Sequence, residues 1–390
     1  MVEGSETSVE ARSRAGLHKA ATVVVKIGSS LLTSPRQGLA RAMINRLSEE
    51  VAELLDQGIR VLLVSSGAVV EGISRLGLEA RPESMHLLQA AAAVGQMGLI
   101  EAYEKAFSAA NRHTALVLLT HDDLADRQRY LNARSTLTTL LDVGAVPVVN
   151  ENDTVATDEI RFGDNDTLAA LVTNLLQAEL LVVLTDIDGL YESDPTLAAD
   201  AEPTPLVSWA AASDSRLDAM VGDSAAFGRG GMITKLKAAR VAARSGASTV
   251  LANGNRVGAL RDILAGKPVG TLLTADLSPL DARKRWIAGQ LTARGSVQLD
   301  TGAVQALTSR GVSLLPVGVT GVSGEFSRGE LVRCLDEHGR LIAQGLCNYS
   351  SGDTRRLLGV DSRDISARLG YSHEPELIHR DNLVVLVEAP

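Results

Sequence analysis

Aromatic residues make up only 3% of the chain, and cysteine occurs twice in 390 residues. So few aromatics argue against a stacking platform for single-stranded nucleic acid, and they leave the core to Ala, Val and Leu. Cys334 and Cys347 have neither metal-ligand nor redox spacing and fall in apolar, strand-like stretches, so they read as reduced, buried thiols. No uncharged apolar run reaches the roughly 18–20 residues that span a membrane. Residues 1–19 are polar and lack the apolar segment of a secretory signal. The chain therefore reads as soluble and cytoplasmic, with no membrane association. A basic excess is missing as well. Formal net charge is −9, and residues 281–390 hold 13 basic and 13 acidic side chains, so all the excess acid lies in residues 1–280. That balance disfavours nucleic acid as a partner, because such a partner is held by Lys and Arg on its phosphates. It also gives no long-range steering of an anionic substrate, so any phosphate site has to be local.

The length, 45% apolar content and 35 glycines are those of a two-domain α/β protein. Residues 1–19 read as a disordered tail. Beyond them, short apolar runs occur at Thr22–Lys26, Arg60–Val64, Thr114–Leu119, Val146–Val149, Leu180–Leu184, Thr249–Leu251 and Gly270–Leu273. Between them lies helical periodicity over Leu39–Gln57, Glu83–Ala110, Tyr130–Asp142, Asp166–Gln177, Thr234–Ser245 and, more briefly, Val257–Ala265. The alternation predicts a largely parallel sheet covered on both faces, a three-layer αβα sandwich over residues 20–276. In such a sheet the ligand lies beyond the carboxyl ends of the strands. The rhythm changes at Ser278-Pro279. From Trp286 onward, β-branched segments at Ser313–Val319, Glu330–Leu335, Leu341–Leu346 and Leu383–Val387 are divided by Gly, Asn and Asp. With helices at Gly302–Ser309 and Asp353–Leu358, they predict a small β-rich barrel or sandwich over residues 285–388.

The chemistry sits in loops that each follow a predicted strand. Lys26-Ile27-Gly28-Ser29-Ser30 would bring backbone N–H groups and one cation close to an anion. Lysine is scarce, seven against 31 arginines, yet it ends the first strand and recurs at Lys235 after Gly228-Arg229-Gly230-Gly231-Met232-Ile233-Thr234. A compact ammonium acts as a point charge on a transferring phosphoryl group, where a guanidinium would impose a fixed fork. The glycine loop is not a Walker A motif, since the only Gly-Lys pair, Gly266-Lys267, is followed by Pro268. Nor is it a dinucleotide fingerprint, because Ile233 stands where the last Gly belongs.

An acidic, amide-rich cluster is the most specific local signal. Asn150-Glu151-Asn152-Asp153 follows a strand, and Phe162-Gly163-Asp164-Asn165-Asp166 opens a helix. At least one aspartate there serves as a helix cap. The rest suit a ligand with an ammonium to pair and a carboxylate to hold, or they orient nearby lysines. Thr185-Asp186 ends the next strand, beside a nucleotide. None of the seven histidines falls in these loops, nor does a cysteine. Hydroxyl kinases need a base. A carboxylate acceptor, with a reference pKa of roughly 4, is already ionised at neutral pH and needs none. The loops are equipped for acyl phosphate formation.

Taken together, Val24-Val25-Lys26-Ile27-Gly28-Ser29-Ser30, Val64-Ser65-Ser66-Gly67-Ala68, Val149-Asn150-Glu151-Asn152-Asp153, Phe162-Gly163-Asp164-Asn165-Asp166, Leu184-Thr185-Asp186 and Gly228-Arg229-Gly230-Gly231-Met232-Ile233-Thr234-Lys235 resemble the glutamate 5-kinase branch of the amino-acid kinase family. The resemblance covers residues 20–275, and the stretch from about 285 is similar to the PUA domain that many bacterial members carry. It implies transfer of the γ-phosphoryl group of ATP, with Mg²⁺, to the side-chain carboxylate of L-glutamate, the first step of proline synthesis. Feedback inhibition by proline and a homo-oligomer, dimer or tetramer, are implied too. Carried onto this chain, it makes Lys26 and Lys235 the catalytic cations and Asp166 the group that orients them. Ser66, Asp153 and Asn165 would bind glutamate, with Gly67, Asn150 and Asp164 nearby. Thr185, Asp186 and the loop Gly228, Arg229, Gly230, Gly231, Met232, Ile233 and Thr234 would hold the nucleotide together with Lys26 and Lys235. No residue is assigned to a metal. One departure is Arg229, where the family commonly has Thr; the added cation either strengthens nucleotide binding or points to solvent. Acetylglutamate, aspartate and carbamate kinases share the fold, and the paired Asn-Glu-Asn-Asp and Gly-Asp-Asn-Asp motifs with the β-rich tail favour glutamate over their substrates. An RNA-binding regulator is the reading from another class, and the neutral tail weighs against it.

Overall fold

A computed structural model describes residues 3–34, 38–156, 165–193, 204–221, 231–277, 293–372 and 374–386, together with 281, 282, 284 and 287. The chain divides into two compact units, Met1–Pro279 and Leu280–Pro390. The first is built on an eight-stranded sheet: β1 (Thr22–Ile27), β2 (Arg60–Val64), β3 (Thr114–Leu119), β4 (Val146–Glu151), β5 (Leu180–Thr185), β6 (Trp209–Ala211), β7 (Ser248–Asn253) and β8 (Thr271–Thr274). Their order is β3-β4-β2-β1-β5-β7-β8-β6, and only β7 and β8 pair antiparallel. The helices that matter below are α1 (Glu3–Gly16), α2 (Arg41–Asp56), α3 (Ala68–Arg75), α4 (Met85–Ser108), α5 (Arg127–Asp142), α6 (Asn165–Leu176), α7 (Met232–Arg244) and α8 (Ala259–Leu264).

Strand parity sorts the core into two layers. Val23, Val25 and Ile27 of β1 pack with Ile44, Leu47, Val51 and Leu54 of α2 and with Leu99, Tyr103 and Phe107 of α4. Val24 lies on the other face, with Leu168, Val172 and Leu175 of α6 and Ala239 and Ala242 of α7. The spacing of three and four residues between the buried positions of α2 is that of one helical stripe. β1 is buried at all six positions, as expected of a central parallel strand. From β1 the chain passes through α2 to β2 on one side, and after β4 it passes through α6 to β5 on the other. The carboxyl ends of β1 and β5 therefore flank a topological switch point, where such sheets bind ligands.

Two polar contacts close this unit. Glu50, buried within α2, accepts hydrogen bonds from the backbone N–H groups of Gly258 (2.9 Å) and Leu260 (3.2 Å), satisfying the start of α8. The polar composition of residues 1–19 predicts disorder, and there the structure differs. Glu3–Gly16 is helical, and Arg14, 3% exposed, donates to the carbonyls of Ser208 (2.6 Å), Gly270 (3.0 Å) and Val269 (3.2 Å) while pairing with Glu10 at 2.8 Å. Polar contacts dock this segment, the Arg14 guanidinium and the Glu10 carboxylate, which accepts from the Ser208 hydroxyl at 2.9 Å, so hydrophobic periodicity gives no sign of it.

The second unit holds a five-stranded sheet of β9 (Gly295–Leu299), β10 (Val319–Gly324), β11 (Leu331–Leu335), β12 (Leu341–Leu346) and β13 (Leu383–Val385), ordered β10-β9-β11-β12-β13. Cys334 and Cys347 are free and buried in its core, where burial pushes both thiols up, that of Cys347 to about 11. Ser313–Val319, expected as a strand, instead contains a 3₁₀ turn at Pro316–Gly318, because proline has no N–H for a ladder. The strand begins at Val319.

Arg14→Ala takes the guanidinium donor away from the Val269 and Gly270 carbonyls, while that of Ser208 keeps the Leu272 N–H. It should lower unfolding stability by roughly 2–4 kcal/mol, read as a urea midpoint on the full chain. Arg12→Ala, on the exposed side of α1, should leave the midpoint unchanged.

Candidate active site

Lys26 shares the parity of Val24, so β1 directs its side chain toward the layer of α6 and α7. There it meets Asp166 in the first turn of α6, Nζ to Oδ1 at 2.6 Å. Lys235, in the first turn of α7, approaches Oδ2 of the same carboxylate at 3.4 Å, and the Thr234 hydroxyl donates to that oxygen at 2.7 Å. The three charged side chains are 1–7% exposed. Burial by itself would raise the Asp166 carboxyl, but the Lys26 and Lys235 ammonium groups and its hydrogen bonds outweigh this and hold it below the usual carboxylate value. Burial lowers the Lys235 ammonium, with Lys26 adding to that effect and Asp166 opposing it.

The triad carries two positive charges against one negative. Two helices, of 12 and 13 residues, start beside it and turn their positive ends toward it. Such a place stabilises an added anion. The N–H of Gly28 donates to the Leu184 carbonyl at 3.0 Å, and a Cβ there would stand 3.2 Å from that oxygen, so the loop after β1 lies tight against β5.

A second group of side chains lies beside the triad. Asn165, next to Asp166, donates from Nδ2 to the Ser65 carbonyl (2.7 Å), the Ser66 hydroxyl (2.9 Å) and Asn150 Oδ1 (3.0 Å). This joins the ends of β2 and β4 to the start of α6. Gly67 follows with φ +105°, and a Cβ there would stand 2.8 Å from Thr33 Cγ2, so the turn into α3 requires glycine. Asp153 sits in the turn after β4, half-buried. Thr185 ends β5 and Asp186 follows it, their side chains hydrogen-bonded to each other at 3.1 Å, and Asp186 is exposed and attracts the Lys235 ammonium. Gly231 precedes α7, Met232 is half-buried, and Ile233 is 38% exposed. Asp164 and the loop residues Gly228, Arg229 and Gly230 lie outside the described residues.

Three contacts are invisible to loop spacing. Gln96 of α4 accepts from Asn150 Nδ2 at 2.8 Å, Tyr103 of the same helix hydrogen-bonds to Ser65 at 3.0 Å, and His121 comes within 3.9 Å of Glu151. Gln96 does leave a trace in the sequence: it is the polar member of the stripe Ala92, Leu99, Tyr103 on the buried face of α4.

Two lysines on one carboxylate and an adjoining amide cluster thus lie together at the switch point of a mostly parallel sheet. Residues 21–253 match the model of the amino acid kinase family, and residues 295–369 that of the PUA domain. The chain is 56% identical over 375 residues to a glutamate 5-kinase of Methylococcus capsulatus, covering 96% of this chain and 100% of that one. It is 57% identical over 364 residues to a glutamate 5-kinase of Nitrosococcus oceani (93% and 96% covered) and 54% over 377 residues to one of Chromohalobacter salexigens (97% and 99%). The chain belongs to the amino-acid kinase family, in its glutamate 5-kinase branch.

Asp166→Asn leaves two buried ammonium groups without their carboxylate and should cost about 3 kcal/mol or more of stability at neutral pH. Since the folded-state pKa of Asp166 is lowered, its contribution is complete above the ordinary value near 4 and is lost as pH falls through the folded one. The difference in urea midpoint between wild type and variant should be flat from about pH 5 to 8 and shrink below about pH 4. A difference that grew in acid would contradict the charged triad.

Proposed function

We propose that the chain transfers the γ-phosphoryl group of ATP to the side-chain carboxylate of L-glutamate, giving γ-glutamyl phosphate and ADP. The observation that carries this is the buried Lys26–Asp166–Lys235 triad, with its excess of one positive charge. The glutamate 5-kinase name of relatives more than 50% identical over nearly the whole chain supports the substrate. Both reactants are anions, so the barrier contains the repulsion of a carboxylate approaching a triphosphate. Asp166 fixes the two ammonium groups in advance, so no reorganisation is needed as charge redistributes. The acceptor oxygen is already ionised and attacks phosphorus directly, with no proton to remove. Lys26 and Lys235 would stabilise the oxygens of the transferring group. Thr185, Asp186 and the residues from Gly231 to Thr234 would border the nucleotide.

Mg²⁺ accompanies ATP in this reading. Among the described residues no three His, Cys, Asp or Glu side chains gather to hold a metal ion. That donor set fits an ion carried mainly by phosphate oxygens. Of the described site carboxylates only Asp186 is exposed, and it would share the ion. Bound there, Mg²⁺ neutralises charge on the phosphates. Ser66, Asn150, Asp153 and Asn165 would take the amino acid, with Asp153 paired to its ammonium. Proline, as another α-amino acid, would compete for the same groups.

The direct test traps the acyl phosphate with hydroxylamine and measures the hydroxamate with glutamate, N-acetylglutamate, aspartate or carbamate as acceptor. Product with glutamate alone is expected, and product only with another acceptor would overturn the reading. Lys26→Ala and Lys235→Ala should each lower kcat by about 10²-fold or more, the scale of losing one preorganised charge donor. Lys19→Ala, an exposed position, should leave kcat unchanged. Near-normal turnover in Lys26→Ala would remove the clamp role.

Asn165→Ala and Asp153→Ala should raise the KM for glutamate roughly tenfold while the KM for ATP stays within about twofold. The proline concentration for half-inhibition should rise in step with the KM for glutamate. Equal rises in both Michaelis constants would point to a collapsed loop, and an unmoved proline response would separate the two ligands.

A further inference from the structure

The amides beside the triad have only one consistent orientation. The carbonyl oxygen of Ser65 can only accept, so the Asn165 atom 2.7 Å from it is Nδ2. That same nitrogen lies 3.0 Å from Asn150, whose facing atom must therefore be Oδ1. The Asn150 nitrogen is then turned to Gln96, and the atom it meets at 2.8 Å must be Oε1. One backbone carbonyl thus sets the polarity of three side-chain amides in series. At the far end the Gln96 Nε2 is buried and has no hydrogen-bond partner among the described residues. At the near end Asn165 is left with Oδ1, an acceptor, for anything that occupies the site.

We propose that Gln96 is a positioning residue for the amino-acid substrate, acting through Asn150. The inference rests on the glutamate reading above and deepens it. Gln96 Oε1 accepts from the Asn150 amide nitrogen and so holds Asn150 in place, in the sense that the Ser65 carbonyl sets through Asn165. Without that acceptor the buried Asn150 nitrogen would lose its hydrogen bond, the Asn150 side chain would shift to replace it, and Asn165 would lose a contact that keeps its Oδ1 turned to a substrate ammonium. Gln96 is 9% exposed and sits in a helix that cannot shift easily. A Cβ at the neighbouring Gly95 would fall 1.8 Å from the Ala68 carbonyl oxygen, and one at Gly72 would fall 1.7 Å from that of Ala91. Helices α3 and α4 therefore meet backbone to backbone. Tyr103, seven residues on from Gln96 and on the same face, holds Ser65 from below. One rigid helix thus fixes both ends of the amide series, Ser65 through Tyr103 and Asn150 through Gln96. Among the described residues Oε1 is the one end of this amide that makes a hydrogen bond, so it is the acceptor that the series uses.

The test is steady-state kinetics on the full chain for Gln96→Leu, Gln96→Glu, Asn150→Ala and the double variant Gln96→Leu/Asn150→Ala, with melting temperatures beside them. Gln96→Leu should raise the KM for glutamate roughly tenfold, the factor for one lost oriented hydrogen bond, and leave the KM for ATP within about twofold. On the Asn150→Ala background the same change should add less than about twofold, because a residue acting through Asn150 has nothing left to act on. Gln96→Glu keeps the acceptor and should hold the KM for glutamate within about threefold. It serves as the readout if the leucine variant does not fold. A lower melting temperature with an unchanged KM for glutamate, additive effects in the double variant, or a Gln96→Glu as impaired as Gln96→Leu would each overturn the proposal. Failure of the glutamate reading itself would show differently, as a wild-type enzyme that glutamate does not saturate.

Discussion

Everything at the carboxyl edge of the large sheet is arranged around one buried carboxylate. Asp166 is 1% exposed, and an isolated charge at such depth would cost several kcal/mol of lost hydration. Two ammonium groups and a hydroxyl meet that cost, Lys26 from β1 and Lys235 and Thr234 from α7, while Asp166 itself belongs to α6. The carboxylate is therefore also a tether that holds a strand and two helix starts at one point. Moving any of the three elements away would leave an unpaired charge in an apolar layer. A position that rigid is what phosphoryl transfer requires, because the catalytic work is placement of charge.

The stoichiometry of that tether decides its chemistry. One carboxylate per lysine would make a neutral, self-satisfied ion pair with little pull on a ligand. With two lysines on one carboxylate and two helix N-termini facing the same point, the triad keeps a net positive charge that favours an incoming anion. The overall charge of −9 does not contradict this, since the excess acid is distributed while the positive site is local and partly shielded from water. Burial lowers the Lys235 ammonium, and an anion beside it would favour its charged form.

Much of this was open to reading in the sequence, and the exceptions have physical reasons. Alternation in Val23–Ile27 and Arg60–Val64 fixes which face each residue occupies, so that Lys26 on the face of Val24 follows from parity alone. The helix starts expected at Asp166 and Thr234 lie within two residues of those observed, Asn165 and Met232, and the scarcity of lysine marks Lys26 and Lys235. What linear spacing could not show is convergence across 69 positions, such as Lys235 meeting Asp166. Nor could it show support from beneath the site, as with Gln96 and Tyr103, because a polar group in an apolar stripe has no visible partner until the fold supplies one. The docking of α1 escaped for the related reason that Arg14 binds backbone carbonyls, which carry no sequence signature.

The site thus divides the labour between two kinds of rigidity. At the triad, charge holds the groups in place, and the geometry adapts little because every displacement exposes a buried ion. In the amide cluster, hydrogen-bond polarity does so: Ser65, Asn165, Asn150 and Gln96 form a directional series whose sense is set by a backbone carbonyl and whose ends are fixed by α4. Asn165 and Asp166 are consecutive, so the two systems share the first turn of α6. A disturbance of either is felt by the other through a single peptide unit. In the proposed reading, an amino acid seated against Asn165 would bear on the carboxylate that positions both lysines, so substrate binding and phosphate clamping would be linked through one peptide unit.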